Sequence, residues 1–396
     1  MMANPLSDFP PGEISLLPTR NIVWGPGSID SLERILRRCG ATRALVLTTR
    51  SLVKQGSLLA ALEEACGELR VATFGDISAH APLDSIIAAE AQISGLNADA
   101  MISFGGGSVI DAAKAVAGRM LDAGQRPPVH VAVPTTLSGA ELAHFYGVTE
   151  QDQQGGAFKR SFAREEVTPA AVVYDGRLTV ATPETLWAGS GLKALDHAVE
   201  GLLCGERHPV VSALAELGVR RMVTGLGASL DPEAVDLRQR CQIAAWECYV
   251  APGAVTLGLS HRIGHILGGT YGISHALTSG VTLGAVMRAM ANTTPTALAS
   301  IARALDTNSS LDFSQPSEHT PLSASALWGA LVSSLGLPTC VDDLGIAESE
   351  LPRIAHLVLS RYPQTVAQLG DDGPRRLNTL LREMWYPGEK KNRRTS

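Results

Sequence analysis

Three histidines, His261, His265 and His275, fall within fifteen residues in the stretch GLSHRIGHILGGTYGISHALTSGVTLGAVM, residues 258–287. Side chains four apart share a helix face, so His261 and His265 can point into one cavity. Gly268-Gly269 is expected to break that helix and let the chain return His275 to the same place. Imidazoles exchange protons near neutral pH and are common metal ligands. Three of them in a small, apolar stretch therefore point to a site, and to a metal site if a carboxylate completes the set. A second pair at helical spacing, Lys193 and His197, lies upstream.

A different chemistry is suggested by Gly105-Gly106-Gly107-Ser108. An apolar strand precedes it and the helical sequence VIDAAKAVAG follows. A glycine turn between strand and helix lets backbone N–H groups approach a pyrophosphate, and the helix N-terminus adds partial positive charge. The spacing is not GxGxxG, so the standard Rossmann fingerprint is absent. Thr135, Thr136 and Ser138 end another apolar strand, where hydroxyls suit a cofactor crevice. Lys159-Arg160 follow in a hairpin-like segment, and either base could reach a phosphate.

The elements that must carry these groups separate into two kinds. Strands at 21–24, 44–48, 70–74, 100–104, 129–133 and 170–175 alternate with helices at 29–38, 51–66 and 83–96 and after the glycine turn. ALVLT at 44–48 is a continuous apolar run, as in a parallel strand covered on both faces. This alternation predicts a parallel α/β sheet with helices on both sides. Beyond Pro183 the pattern turns helical, at 184–204, 209–230, 233–251, 254–267, 278–291, 295–305, 322–335, 347–361 and 374–385. The expectation is an α/β dinucleotide-binding domain over 1–183 and an all-helical domain over 184–396 that carries the substrate site. The polar segment 306–322 reads as a surface loop.

Composition narrows the function classes. The 396 residues carry a net charge of −6, and KKNRR at 390–394 is the one notable basic run, so nucleic acid is not an expected partner. No membrane span or signal peptide is expected from the apolar runs or the N-terminus. The six scattered cysteines, without a CxxC, read as reduced thiols of a cytoplasmic protein.

With GGGSVIDAAK at 105–114, PTTLSGAE at 134–141 and HRIGH with His275, the chain resembles the iron-containing (group III) alcohol dehydrogenases over nearly its whole length. Within that family it is most similar to the maleylacetate reductases, through ALVLTT (44–49), HAP (80–82), YGVTE (146–150), AVVYD (171–175), ALDHAVEGL (194–202), HILGGTYGISHA (265–276) and LGLPTCVDDLGI (335–346). The resemblance implies a dehydroquinate synthase-like fold, α/β plus all-α, with the active site in the cleft between the two domains. It implies that Gly105, Gly106, Gly107, Ser108 and Asp111 serve the cofactor, with Thr135, Thr136 and Ser138 along it. Lys159 and Leu178 would lie near its ribose or nicotinamide end. Thr49 falls where NAD-preferring members carry an Asp against the adenosine ribose. Threonine does not repel a 2′-phosphate, so NADH and NADPH are both allowed, with Arg50 a candidate partner.

One departure matters. Metal-binding members of the family carry an Asp at position 193, together with the three histidines that are His197, His261 and His275 here. Lys193 has no lone pair to donate while charged and repels a divalent cation, so no metal is expected. Maleylacetate reductases typically have Asn there, so lysine departs from them too. Asp196 adjoins His197 but points about 100° round a helix and is not expected to substitute as a ligand. The resemblance then implies an NAD(P)H-dependent reductase adding hydride to the conjugated C=C of an oxo-dicarboxylic acid, maleylacetate to 3-oxoadipate. Lys193, His197, His261, His265 and His275 would be the catalytic residues, acting on a small anionic or carbonyl substrate in a homodimer. Two alternatives stay open: a divergent reductase of the same fold for another ketone, aldehyde or enone, and a nucleotide-binding homologue without activity.

Overall fold

The structure is a computed structural model, and it describes residues 21–151, 157–204, 208–250, 258–309 and 319–385. The N-terminal lead-in, the KKNRR run and most of the 306–322 segment lie outside the described residues. The chain divides into two compact units, one of Leu16–Trp187 with Ala228–Trp246, the other of Ala188–Gly227 with Glu247–Ser396.

The first unit is built on strands β1 (Ile22–Trp24), β2 (Ala44–Leu47), β3 (Arg70–Phe74), β4 (Ala100–Gly105), β5 (Val129–Pro134) and β8 (Ala171–Tyr174). They form one parallel sheet in the order β1-β8-β5-β4-β2-β3. Strands β6 (Phe145–Gln151) and β7 (Ala157–Ala163) pair separately as an antiparallel hairpin. Helices α1 (Leu32–Arg38), α2 (Arg50–Lys54), α3 (Gly56–Ala65), α4 (Leu83–Gly95) and α5 (Gly107–Asp122) connect the strands. Side chains alternate across the sheet. Val46, Ile102, Phe104 and Val131 pack with Leu32, Ile35, Leu36 and Leu62 on one face. Leu45, Leu47 and Met101 pack with Ile86, Ile93, Val109 and Val116 on the other. Both faces are dry, which is why ALVL reads as an unbroken apolar run.

The strand order sets where a ligand can enter. From β2 the chain moves outward to β3, then crosses back to β4 on the other side of β2 and continues to β5. Connections leaving β2 and β4 therefore diverge, and the crevice between them opens at their C-terminal ends. Those ends carry Thr48-Thr49 and the Gly105–Gly107 turn.

The helical elements are α6 (Glu184–Cys204), α7 (Pro209–Gly225), α8 (Val235–Tyr249), α9 (Leu259–Tyr271), α10 (His275–Ala289), α11 (Pro295–Leu305), α12 (Pro321–Ser334), α13 (Leu351–Arg361), α14 (Pro363–Ala367) and α15 (Gly373–Trp385). Most of α8 counts with the sheet unit and most of α6 with the helical one. One expectation is corrected here. Gly268-Gly269 does not break α9, which runs through both glycines to Tyr271 and ends at Gly272, whose φ of 69° only glycine adopts freely. A Cβ at Gly268 would sit 3.2 Å from the Ile273 carbonyl oxygen, a tight approach to backbone, and at the ordinary contact distance of 3.4 Å from His275 Cε1. Among the described residues, no helix is long and apolar enough to cross a membrane.

Candidate active site

Helix α6 is buried on all sides from residue 187 to 201, so even its polar side chains lie inside the helical unit. Lys193, Asp196, His197 and Glu200 follow one another at spacings of three, one and three, which places them along a single helical stripe. Lys193 Nζ donates to Asp196 Oδ2 at 3.1 Å and lies 3.0 Å from His261 Nδ1. Ser279 of α10 donates its hydroxyl to the same Asp196 oxygen at 2.6 Å. Asp196 Oδ2 is also 3.4 Å from His261 Nδ1. The expectation that Asp196 turns away is thus overturned. A residue at i+3 is as much a neighbour of Lys193 as one at i+4, and here the i+3 carboxylate takes the ammonium.

Glu200 anchors the second element of the site. Its carboxylate accepts the backbone N–H groups of Gly258 at 3.1 Å, Ser260 at 2.6 Å and His261 at 3.2 Å. These are amides at the start of α9, whose N-cap, Gly258, has no side chain to satisfy them. A carboxylate reaching from α6 does so instead, and this fixes His261 beside Lys193. The imidazoles then form a chain. His197 stacks on His261 at 4.8 Å between ring centres and meets the edge of Tyr249 at 4.8 Å. His261 is 5.6 Å from His265, and His265 is 5.0 Å from His275. His275 opens α10 directly after its cap, Ser274.

Burial and charge act against each other here. Burial alone would push the Asp196 carboxyl up, but the Lys193 ammonium, His261 and the Ser279 hydroxyl together hold it well below the usual carboxylate range. Burial, followed by the neighbouring Asp196 charge, pushes Glu200 up, opposed by His261 and Lys193. Burial also drives His197 well below its ordinary value, helped by His261 and Lys193, so its ring is neutral. Asp196 Oδ1 and His197 Nδ1 are buried without a hydrogen-bond partner among the described residues.

Asp196, Glu200 and His261 offer ligand atoms within 4.8 Å of one another, a set that could hold a metal ion. With Lys193 in place they do not suit a divalent cation. Its Nζ already bonds two of the three ligands, and an ammonium repels a metal while offering it no lone pair.

The glycine turn in the sheet unit is made differently. Gly105 has φ of 155°, and Gly106 opens the sixteen-residue helix α5 without a side-chain cap, so no capping side chain competes with an anion for the Gly107 and Ser108 amides. The turn has no room for side chains. A Cβ on Gly105 would meet Val109 Cγ2 at 2.6 Å, one on Gly106 would meet Thr136 Cγ2 at 2.9 Å, and one on Gly107 would meet Ser138 Oγ at 3.1 Å. These residues fit a pyrophosphate. Thr135 N–H bonds the Gly105 carbonyl at 2.9 Å, so the ends of β4 and β5 are laced together. Ser108 Oγ accepts the His80 amide at 3.0 Å, and His80 and Ala81 are both left-handed, at φ of 66° and 49°. Two such residues in succession are a form of strain that collects at functional sites.

The other residues singled out from the sequence are placed as follows. Thr49 caps α2, accepting the Leu52 amide at 3.3 Å. Arg50 is paired with Asp76 on the exposed surface. Asp111 accepts the Gly147 amide at 3.2 Å and pairs with Lys159 at 3.6 Å. Leu178 is packed in the core of the sheet unit. The structure thus gathers Lys193 and the four histidines in one cluster, and the glycines with Ser108, Thr135, Thr136 and Ser138 in another. Sequence reasoning passed over Glu200, Ser279, Tyr249 and the left-handed pair at His80. Glu200 had a signal, since a carboxylate three residues after His197 in an otherwise apolar helix must find partners.

Comparison with known proteins agrees with this architecture. The family model described as iron-containing alcohol dehydrogenase matches residues 18–176, and that of the Fe-containing alcohol dehydrogenase family, C-terminal, matches residues 187–370. The chain is 34% identical to a maleylacetate reductase of Pseudomonas aeruginosa over 371 residues, 92% of this chain and 95% of that protein. It is 34% identical to the maleylacetate reductase of Rhizobium sp. (strain MTP-10005) over 282 residues, 71% of this chain and 76% of that protein. The crystal structure of maleylacetate reductase from Agrobacterium tumefaciens is similar with a TM-score of 0.81 at 28% identity, covering 95% of this chain and 98% of that one.

Proposed function

Because the chain belongs to the iron-containing alcohol dehydrogenase family and is an oxidoreductase close to the maleylacetate reductases, we propose that it reduces the conjugated C=C of an oxo-dicarboxylic acid, maleylacetate to 3-oxoadipate, with NADH or NADPH and without a metal ion. The observation that carries this reading is the buried Lys193 ammonium held between Asp196 and His261. When bound, the reduced nicotinamide supplies the hydride. The backbone of Gly105, Gly106 and Gly107, with Ser108, Thr135, Thr136 and Ser138, would hold the pyrophosphate, and Lys159 would serve the ribose or nicotinamide end, while Leu178, packed in the core, would back that wall.

Reducing an enone leaves an enolate, whose charge must be met by fixed donors. An ammonium has three N–H bonds. Two of those on Lys193 are directed at Asp196 and His261, which leaves one for the enolate oxygen or a substrate carboxylate. His197 and His261 line the same place. His265 or His275 returns a proton to carbon. Thr49 sets no carboxylate against a 2′-phosphate, so both cofactors are accepted.

The test is oxidation of NADH and of NADPH by the purified protein with maleylacetate, followed by a panel of aldehydes and ketones. Consumption with maleylacetate is the expected result. Turnover only with other carbonyl compounds would replace this reading with a divergent reductase of the same fold. Tight cofactor binding with no turnover on any substrate would leave a binding protein.

A further inference from the structure

Two carboxylates, Asp196 and Glu200, are fully buried within one short stretch of α6. Carboxylates out of water need a cation or a full set of donors. Glu200 has its donors in three backbone amides. Asp196 has one hydroxyl and one ammonium on Oδ2, while its buried Oδ1 has no partner among the described residues. Its ligand atom, with those of Glu200 and His261, lies in a group no wider than 4.8 Å. Lys193 Nζ is bonded to two members of that group, at 3.1 and 3.0 Å.

We propose that Asp196, Glu200 and His261 form a cation seat whose resident is the protein's own Lys193 ammonium, so that the natural chain takes no divalent cation there and a lysine-free variant does. The donor set, two carboxylate oxygens and an imidazole nitrogen, suits a borderline divalent ion such as Co²⁺ or Zn²⁺. Removing the ammonium leaves negative charge buried without its cation, and a metal ion restores the balance. The inference concerns charge and ligand placement alone and holds whichever carbonyl compound the enzyme reduces.

The experiment is equilibrium dialysis of the full-length protein against Co²⁺, with the visible d–d absorption of the bound ion as a second readout. The natural chain is expected to bind no stoichiometric Co²⁺. Lys193→Ala, and Lys193→Met as a variant that keeps the volume filled, are each expected to bind one ion per chain with d–d bands. Adding Asp196→Asn to Lys193→Ala should weaken binding by at least about tenfold, the lower end of what even outer-shell partners contribute. Adding His275→Ala instead should leave the affinity unchanged, because His275 is outside the seat. The proposal is overturned if the natural chain binds Co²⁺ as tightly as the variants, or if both folded lysine variants bind none. It is equally overturned if His275→Ala abolishes binding while Asp196→Asn does not. Failure of both lysine variants to fold with or without Co²⁺ also overturns it, since a seat that can exchange its cation must survive the exchange.

Discussion

In the proposed reaction the glycine turn of the sheet unit and the lysine cluster of the helical unit would both receive charged groups, but they are made from opposite materials. The turn offers backbone amides and the absence of side chains: a single methyl on Gly105, Gly106 or Gly107 meets a neighbour at 3.1 Å or less. The cluster offers buried side chains that neutralise one another, with Lys193, Asp196, Ser279, His261 and Glu200 joined at 2.6–3.4 Å. A site made of backbone fails when atoms are added to it. A site made of buried charges fails when atoms are removed from it, because each deletion strands a partner.

The largest effect is expected from deletion at the cluster. Lys193→Ala should lower kcat by about 10²–10³-fold, the loss typical for one donor to a developing anion, with the KM for NAD(P)H unchanged. Steady-state kinetics check this, and an unchanged kcat would remove Lys193 from the chemistry. Addition at the turn comes next. Gly106→Ala sets a methyl against Thr136 Cγ2, and an overpacking cost of about 1–3 kcal/mol raises the cofactor KM by about ten- to hundredfold. Combining it with Thr136→Ser, which removes that methyl, should recover most of the loss. If the double variant binds cofactor no better than Gly106→Ala alone, the steric account of the turn is wrong.

A third substitution tests whether the cluster is also a structural joint. Glu200→Gln keeps the shape but replaces one acceptor oxygen with an NH2 donor, stranding at least one of the three amides, and should cost about 1–3 kcal/mol of stability, read as a lower urea midpoint. A graded effect is a pH dependence of the sheet unit. His130 is bonded to Ser103 at 2.7 Å, and burial pushes its imidazole down to about 3. The unfolded chain protonates this histidine near its ordinary value and the folded one does not. Stability from this group is therefore intact above about pH 6.5 and falls by at most about 1.4 kcal/mol per unit as pH drops toward 3. Urea melts at pH 7 and pH 5 should show that slope reduced in His130→Gln.

The same contrast explains what could be read without coordinates. The turn is local: strand, glycines and helix are consecutive, so Gly105–Ser108 could be placed from sequence alone. The strands were legible because burial on both faces leaves continuous apolar runs such as ALVL. The cluster depends on which side chains of one buried helix meet which of another. The angle of Asp196 from His197 argues against it as a ligand, although its spacing from Lys193 makes it a neighbour. Glu200 caps a helix that begins 59 positions later, a pairing no local pattern reports. Gly268-Gly269 reads as a break because glycine weakens helices, whereas α9 continues through both, and the Ile273 carbonyl oxygen lies only 3.2 Å from where a Gly268 side chain would begin.

The proximity of Asp196 to Glu200 also bears on exchange at position 193. A Lys193→Asp change would gather three buried acids where one ammonium now balances them. Such a step would be destabilising unless position 196 changed first or a metal ion arrived with it. The order in which these positions can be exchanged is therefore constrained.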